Sequence, residues 1–411
     1  YDADGIPGAA LLAAFFDRLG YSRYEVYIPD RHEEAYGLSD EAIMIFAKSG
    51  VSLIITVDCG ISNYGEIALA KSLGLDVIVT DHHIVPETPP PAAAIINPKR
   101  PDDEYPYKML CGAGVVFKLV QALMREFVSP TFSNGWEKWL LDLVAIATIA
   151  DMVPLTGENR ALVHFGLMVL RKSPRPGIVA LCRALKLHQS LITADDVAFS
   201  IGPRLNAASR MAHGLQAYRL LTTTDPAEAA ALADILEGNN HARRDSVVTV
   251  LEAVAAMIGD RAPSNEIIVC GDPSWPLGVL GLAASRLAER HHCPVFLWSK
   301  NGRGEIKGSC RADGSINVVD LMRAASRPRG RAGGEDFFIN FGGHTGAGGF
   351  SLAANRVSEL SERLAVAYRE LEIEAVDEEL VLDAELSLAA VNTDTARLLE
   401  RLSPFGLENS K

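Results

Sequence analysis

The stretch VSLIITVDCGISNYGEIALAKSLGLDVIVTDHH, residues 51–83, decides the fold. VSLIITV is a continuous apolar run with polar residues after it, the mark of a strand buried on both faces of a parallel sheet. A helical pattern over 63–73 leads into a second such run, DVIVT. Strand, helix and strand in this rhythm predict a doubly wound parallel sheet, whose ligands sit beyond the carboxyl ends of its strands. Both runs end in chemistry: Asp58 closes the first, and Asp81-His82-His83 closes the second.

Outward from this unit, GAALLAAFFDRLG reads as a helix and YEVYIP as a strand. SDEAIMIFAKSG reads as a helix, with Ser39 as its cap and Gly50 at its stop. The chain opens YDADG, and a strand before Asp2 would bring Asp2 and Asp4 to the same sheet edge. A fourth acid-bearing segment places Asp151 after LVAIATIA and before MVPL. Each piece has a bland reading: Asp2 and Asp4 a solvated turn and N-cap, Asp58 a turn residue, the histidines a packed pair, Asp151 a cap. Together they are harder to dismiss. Four or five carboxylates on one edge repel one another unless cations neutralise them. Oxygen ligands with one or two imidazoles suit Mn²⁺ or Mg²⁺ better than zinc, and histidine tilts the choice towards Mn²⁺. Two metals sharing one carboxylate make a site for phosphoryl chemistry.

The bulk properties fit an enzyme of this kind. With 411 residues, 48% hydrophobic and 22% charged, the chain is long enough for two or three domains and is not disordered. Six cysteines lie scattered without a CxxC pair, and the contiguous HHC at 291–293 lacks the spaced partners of a zinc module. That excludes a disulfide framework and a zinc finger, and it predicts a reducing, cytoplasmic location. The longest apolar candidate, WLLDLVAIATIA, is too short to cross a bilayer and carries Asp142, so no membrane partner is expected. A net charge of -13 argues against nucleic acid, yet clustered metal-holding acids and a local basic groove can share one molecule.

Four parts are expected: an α/β domain over 1–190, a helical connector over 191–262, a second α/β domain over 263–372, and an acidic linker over 373–411. The second domain begins near EIIVC and runs through GVLGLAASRLAERH and PVFLWS to the glycine-rich FGGHTGAGGF; RGRAGGE (329–335) reads as a flexible loop.

DADG (2–5), VDCGIS (57–62), TDHH (80–83) and IADMVPL (149–155) resemble the four motifs of the DHH phosphoesterase superfamily. CGAGVVFKL (111–119), SIGPRLNAASRM (200–211), GSCRADG (308–314), FGGHTGAGGF (341–350) and SPFGLEN (403–409) are similar to blocks of the RecJ-type single-strand-specific exonucleases. The matches run in order along nearly the whole chain. The resemblance implies a DHH catalytic domain followed by a DHHA1 domain, and 5′→3′ hydrolysis of single-stranded DNA to 5′-mononucleotides by two metal ions, in repair and recombination.

Carried over residue by residue, the resemblance implies that Asp4, Asp58, His82 and Asp151 hold one manganese ion, with Asp58 bridging to a second held by Asp2. His83 would stand beside the scissile phosphate, with Asp81 as partner of the histidines. Arg204, with Asn206 and Arg210, matches the family's RxNxxxR stretch lining the cleft, where guanidinium groups clamp phosphates; Asn240, Arg243 and Arg244 would extend it. Ser309 and Arg311 match residues that hold the terminal 5′-phosphate, with Arg31 of IPDR as a further partner. Gly342-Gly343-His344 would offer that phosphate a turn of backbone amides and an imidazole.

Ser209, Gly348 and Pro7-Gly8 depart from the family's usual residues without removing a ligand. The missing methionine and the ending PFGLENSK suggest a fragment without its first strand and without a following OB-like domain. Partners implied are single-stranded DNA with a 5′ end and single-strand-binding or helicase proteins. Two other readings stand beside this one: a phosphodiesterase of short oligoribonucleotides or cyclic dinucleotides, and a non-catalytic DNA-binding scaffold.

Overall fold

A computed structural model describes the chain apart from residues 32–33, 35, 128, 260–266, 302–303, 315, 328–336, 372–381, 383 and 411. The chain divides into two units: Tyr1–Asn240 with Leu386–Lys411, and His241–Glu385.

The first unit is built on three parallel strands in the order β1 (Leu53–Val57), β2 (Asp76–Thr80) and β3 (Ala94–Ile96). Leu53 pairs with Asp76 and Val57 with Thr80, so both strands end level with one another. Three helices flank them early in the chain: α1 (Gly5–Leu19), α2 (Asp40–Lys48) and α3 (Tyr64–Ser72). Ser39 caps α2 by accepting from the Ala42 N–H, as its position before the apolar pattern predicts. α4 (Gly112–Glu126) and α5 (Leu141–Ala150) follow. WLLDLVAIATIA is a core helix here: α5 is buried from Leu141 to Ile149, and its Asp142 accepts from Ser173 Oγ at 2.7 Å and Arg175 Nε at 2.9 Å. A helix apolar all round belongs in the middle of a core.

Three expectations change. YEVYIP forms no strand; Ile28 is buried and Tyr24 and Tyr27 donate to Asp17 and Glu34, so the segment finds its partners without a ladder. The expected connector is no separate body. Val197, Ile201, Leu205, Ala208, Leu220 and Leu236 are fully buried in the same core as α1, α4 and α5, each burial stabilising by roughly 1.5–3 kcal/mol for the larger side chains. Nor does the acidic stretch lead away: residues 386–411 belong to the first unit. The helix Pro226–Ile258 carries the chain across the division between residues 240 and 241.

The second unit holds a five-stranded mixed sheet in the order β4-β5-β6-β8-β7, with β4 (Ile268–Gly271), β5 (Val295–Lys300), β6 (Ile306–Arg311), β7 (Asn340–His344) and β8 (Ala347–Leu352). Only β4 and β5 are parallel. Phe296, Cys310, Phe337, Phe350 and Leu360 lie in its core. FGGHTGAGGF is therefore a hairpin at the sheet edge and not a loop, because Gly342 and Gly343 pair with Gly349 and Gly348. RGRAGGE falls outside the described residues.

Candidate active site

Parallel strands of equal end-point deliver their following residues to one edge. Asp58 continues the ladder past β1 through its N–H to the Thr80 carbonyl, and Asp81 continues it past β2 through its N–H to Ile96. Asp58 then turns into the left-handed region at φ 60°, uncommon for a non-glycine residue. Gly112 permits this: a Cβ there would lie 2.6 Å from the Asp58 Cβ. Asp4 reaches the same place from the start of α1. Its carboxylate accepts from the Gly112 N–H at 2.6 Å and the Ala113 N–H at 2.7 Å, seated on the positive end of α4. Asp151 arrives as the residue that ends α5.

His82 sits at the centre. Its Nε2 is 3.2 Å from Asp58 Oδ1, 3.6 Å from Asp4 Oδ2 and 3.6 Å from Asp151 Oδ2. Yet Nε2, Nδ1 and Asp58 Oδ1 are buried without a hydrogen-bond partner. His82 cannot supply the missing positive charge, since burial and the neighbouring His83 lower its pKa to about 4. The carboxylates respond as crowded acids do. Burial and the charges of Asp4, Asp2 and Asp151 push Asp58 well above the ordinary aspartate range. Burial, with Asp4 and Asp2, raises Asp151 to about 8. Burial raises Asp4 to about 6 against the pull of its backbone donors.

Such a set fits divalent cations. Among the described residues, Asp58, His82 and His83 form one group and Asp4, His82 and Asp151 another, each with ligand atoms within 4.8 Å of one another. Asp2 stands outside both: its Oδ1 accepts from the Asp4 and Gly5 N–H groups at the start of α1. Asp81 is an acceptor for the whole turn. It takes the His83 ring Nδ1 at 2.7 Å, the His82 and His83 N–H groups, and the Ile61 N–H. It thus orients the His83 ring but touches His82 only through the backbone. Burial would lower the His83 pKa, but the Asp81 bond and charge outweigh it and raise it.

A cavity of about 300 Å³ opens beside the cluster, lined by Asp2, Asp4 and Asp151 and by Arg31, Asn206 and Arg210. Arg31 lies 4.9 Å over the Tyr1 ring, and Asn206 accepts from the Ala3 N–H. Arg204 is placed otherwise. It is buried, and its guanidinium is held by Glu237 through Nε at 2.7 Å and Nη2 at 3.2 Å and by the Ser200 carbonyl. The fork that the sequence offered to a phosphate is already filled by a carboxylate of the same unit. Asn240 is fully buried and extends no exposed basic strip.

Tyr36 and Asn97 escape the sequence reading. The Tyr36 hydroxyl donates to the Asp58 carbonyl, and its ring packs edge-on against His83 at 5.6 Å. Asn97, fully buried just past β3, donates to the His83 carbonyl at 2.9 Å. The strand-end rule that found Asp58 finds Asn97 too once β3 is seen as a strand; no pattern marks Tyr36.

In the second unit, Ser309 and Arg311 project from one face of β6, and a Cβ on Gly281 would meet Arg311 Nη2 at 3.0 Å and Ser309 Oγ at 3.6 Å. The register aligns Arg311 with Ala347 and His344, and Ser309 with Gly349 and Gly342. Ala347 alone stands between Arg311 and His344 in that row. Gly342, Gly343 and His344 are exposed on the edge strand, so they are offered along a strand and not from a turn.

Residues 1–148 match the DHH family, N-terminal domain, and residues 264–370 match the DHHA1 domain. The chain is 36% identical over 423 residues to the single-stranded-DNA-specific exonuclease RecJ of Salmonella typhimurium, covering 99% of this chain and 72% of that protein. The chain belongs to the RecJ family of single-stranded-DNA-specific exonucleases. The RecJ of Thermus thermophilus is 38% identical over 354 residues, covering 86% of this chain and 48% of that protein. The crystal structure of Thermus thermophilus RecJ in complex with Mn²⁺ superposes with a TM-score of 0.84 at 34% identity, covering 100% of this chain and 57% of that one. Its Mg²⁺ complex matches at 0.75 and 32%, covering 100% and 55%. The chain thus spans somewhat over half the length of the solved relative. Among the described residues no helix is long and apolar enough to cross a membrane.

Proposed function

We propose that the chain hydrolyses single-stranded DNA from its 5′ end to 5′-mononucleotides, in repair and recombination. The observation that carries this is the pair of buried atoms without hydrogen-bond partners, His82 Nε2 and Asp58 Oδ1, inside a ring of acids beside a cavity that also presents Arg31 and Arg210. Acids alone would repel a phosphodiester; acids that hold cations attract it. Asp4, Asp58, His82 and Asp151 are the residues to hold Mn²⁺ or Mg²⁺, with Asp2 and His83 at the margin of the set. When bound, such ions polarise a phosphoryl oxygen, lower the pKa of water and stabilise charge on the attacking and leaving oxygens.

The chain's own residues do the rest. Asp58 is fixed in place by its left-handed backbone and the Tyr36 hydroxyl. His83, its Nδ1 committed to Asp81, keeps Nε2 for a non-bridging phosphate oxygen, and its raised pKa favours the donating form. Arg31, Arg210 and Asn206 orient the incoming strand at the cavity. In the second unit Ser309, Arg311 and His344, with the small residues between them, form a surface suited to a terminal 5′-phosphate. Single-strand-binding or helicase proteins would present the free end. A reducing cytoplasm suits the six free cysteines.

Incubation of the chain with Mn²⁺ and long single strands, and separately with di- and oligoribonucleotides and cyclic dinucleotides, tests the reading. Preferred turnover of the long single strand supports it. Turnover confined to the short substrates would replace it with the phosphodiesterase reading, and release from neither would leave a DNA-binding scaffold.

A further inference from the structure

The SPFGLEN segment takes no part in the chemistry above, yet it is bonded to the loop that carries Asp151. The Leu155 N–H donates to the Leu407 carbonyl at 2.8 Å. Arg160 Nη2 donates to the Leu402 carbonyl at 2.8 Å. Asn409 closes the segment on itself through Nδ2 to the Leu402 and Pro404 carbonyls, and Gly406 and Asn409 exchange backbone bonds. At Gly406 the turn comes so close that a Cβ would lie 2.6 Å from Leu155 Cδ1 and 2.9 Å from its Cγ. The opposite side of the loop is gripped as well: Tyr107 Oη donates to the Thr156 carbonyl at 2.9 Å, and the buried Asn159 Nδ2 to that of Pro154 at 3.0 Å. Asp151 therefore stands between the end of α5 and a fixed point only four residues on, with Met152 at φ 56° between them.

We infer that the turn over residues 402–409 is a clasp that positions Asp151 for its cation, which makes Arg160, Gly406 and Asn409 positioning residues for the metal centre. The inference rests on the metal reading above. Outer partners that orient a ligand commonly set metal affinity by about 10–100-fold, and a ligand on a short loop depends on both ends of that loop.

The test is Mn²⁺ titration calorimetry on the full chain and on Arg160→Ala, Gly406→Val and Arg160→Lys, with melting temperatures of the metal-free proteins alongside. Arg160→Ala and Gly406→Val are expected to weaken Mn²⁺ binding about tenfold, and Arg160→Lys to recover part of it. Saturating Mn²⁺ should then restore kcat with KM for single-stranded DNA unchanged. Variants that melt earlier but bind Mn²⁺ as the parent does would overturn the inference, leaving the turn a stabilising contact. If Gly406→Val does not fold, Arg160→Ala decides, since it removes one exposed hydrogen bond. Failure of the parent chain to bind Mn²⁺ would instead overturn the metal reading itself.

Discussion

His82 Nε2 lies 3.2 Å from Asp58 Oδ1, and neither buried atom has a hydrogen-bond partner. Leaving such groups unpaired costs about 1–3 kcal/mol each. A cation between them and the neighbouring acids removes that cost. Asp58→Asn keeps the shape and takes away one buried like charge. At pH 8 it should raise the melting temperature of the metal-free protein and abolish the rise that Mn²⁺ produces in the parent. Turnover should fall by more than about 100-fold, the upper end for losing even an outer partner. A variant that Mn²⁺ stabilises as before would remove Asp58 from the centre.

Protons compete with metal here, and the sign follows from raised carboxyls. Asp151 is held at about 8 and Asp58 also lies well above the ordinary aspartate value. A raised pKa means that the folded state prefers the protonated acid. Their contribution to metal-free stability is therefore present below the ordinary value and is lost as pH rises through the folded pKa. His82, at about 4, stays neutral from pH 6 to 8. Stability of the metal-free protein due to these acids should fall from pH 6 to 8, while Mn²⁺ binding strengthens by at least about tenfold as its proton competitors leave. Calorimetry at both pH values checks this; equal affinity would contradict it.

Tyr36 supplies a hydroxyl to the Asp58 carbonyl and a ring edge to His83. Tyr36→Phe should cost the fold only about 0.5–1.5 kcal/mol, the net worth of one hydrogen bond. It should weaken Mn²⁺ binding by about tenfold or more. A loss of stability without a change in metal affinity would make Tyr36 a packing residue.

Arg204 should behave as a structural residue. Its side chain is buried and its fork engages Glu237, which is partly exposed. Breaking a fully buried pair costs about 3–5 kcal/mol, so about 1–3 kcal/mol is expected here. Arg204→Gln and Glu237→Gln should lower the melting temperature alike, and the double variant should lose less than their sum. A large rise in KM for DNA from Arg204→Gln, with stability unchanged, would return it to the substrate.

Arg311→Ala should reduce the preference for a 5′-phosphate over a 5′-hydroxyl end, because Arg311 shares a cross-strand row with His344, which is exposed at the sheet edge. An unchanged preference would move that pocket elsewhere.

The parallel sheet and its acids were legible because strand ends follow from apolar runs, and the rule that ligands lie past carboxyl ends needs no coordinates. That rule puts Asp58 and His82 at one edge, and their side chains lie 3.2 Å apart there. The partner of Arg204 was not legible, because a guanidinium on a helix shows nothing of the carboxylate facing it from a helix turn 33 residues on, at Glu237. YEVYIP misled because alternation marks a half-buried extended segment whether or not a neighbouring strand exists to pair it. Within the expected connector over 191–262, the burial of Val197, Ile201, Leu205 and Leu236 in the first unit was not legible, since apolar faces give no address for the core that they cover. Tyr36 was silent because its role lies in one hydroxyl and one backbone carbonyl, which leave no pattern.

The most direct measurement follows single-stranded DNA labelled at its 5′ or its 3′ end during incubation with the chain and Mn²⁺, with Asp58→Asn as control. Labelled mononucleotide should appear at once from the 5′-labelled strand and late from the 3′-labelled one, with none from either without divalent metal or with Asp58→Asn. Release that begins at the 3′ end, that survives Asp58→Asn, or that is absent from the Mn²⁺-saturated chain would contradict the account.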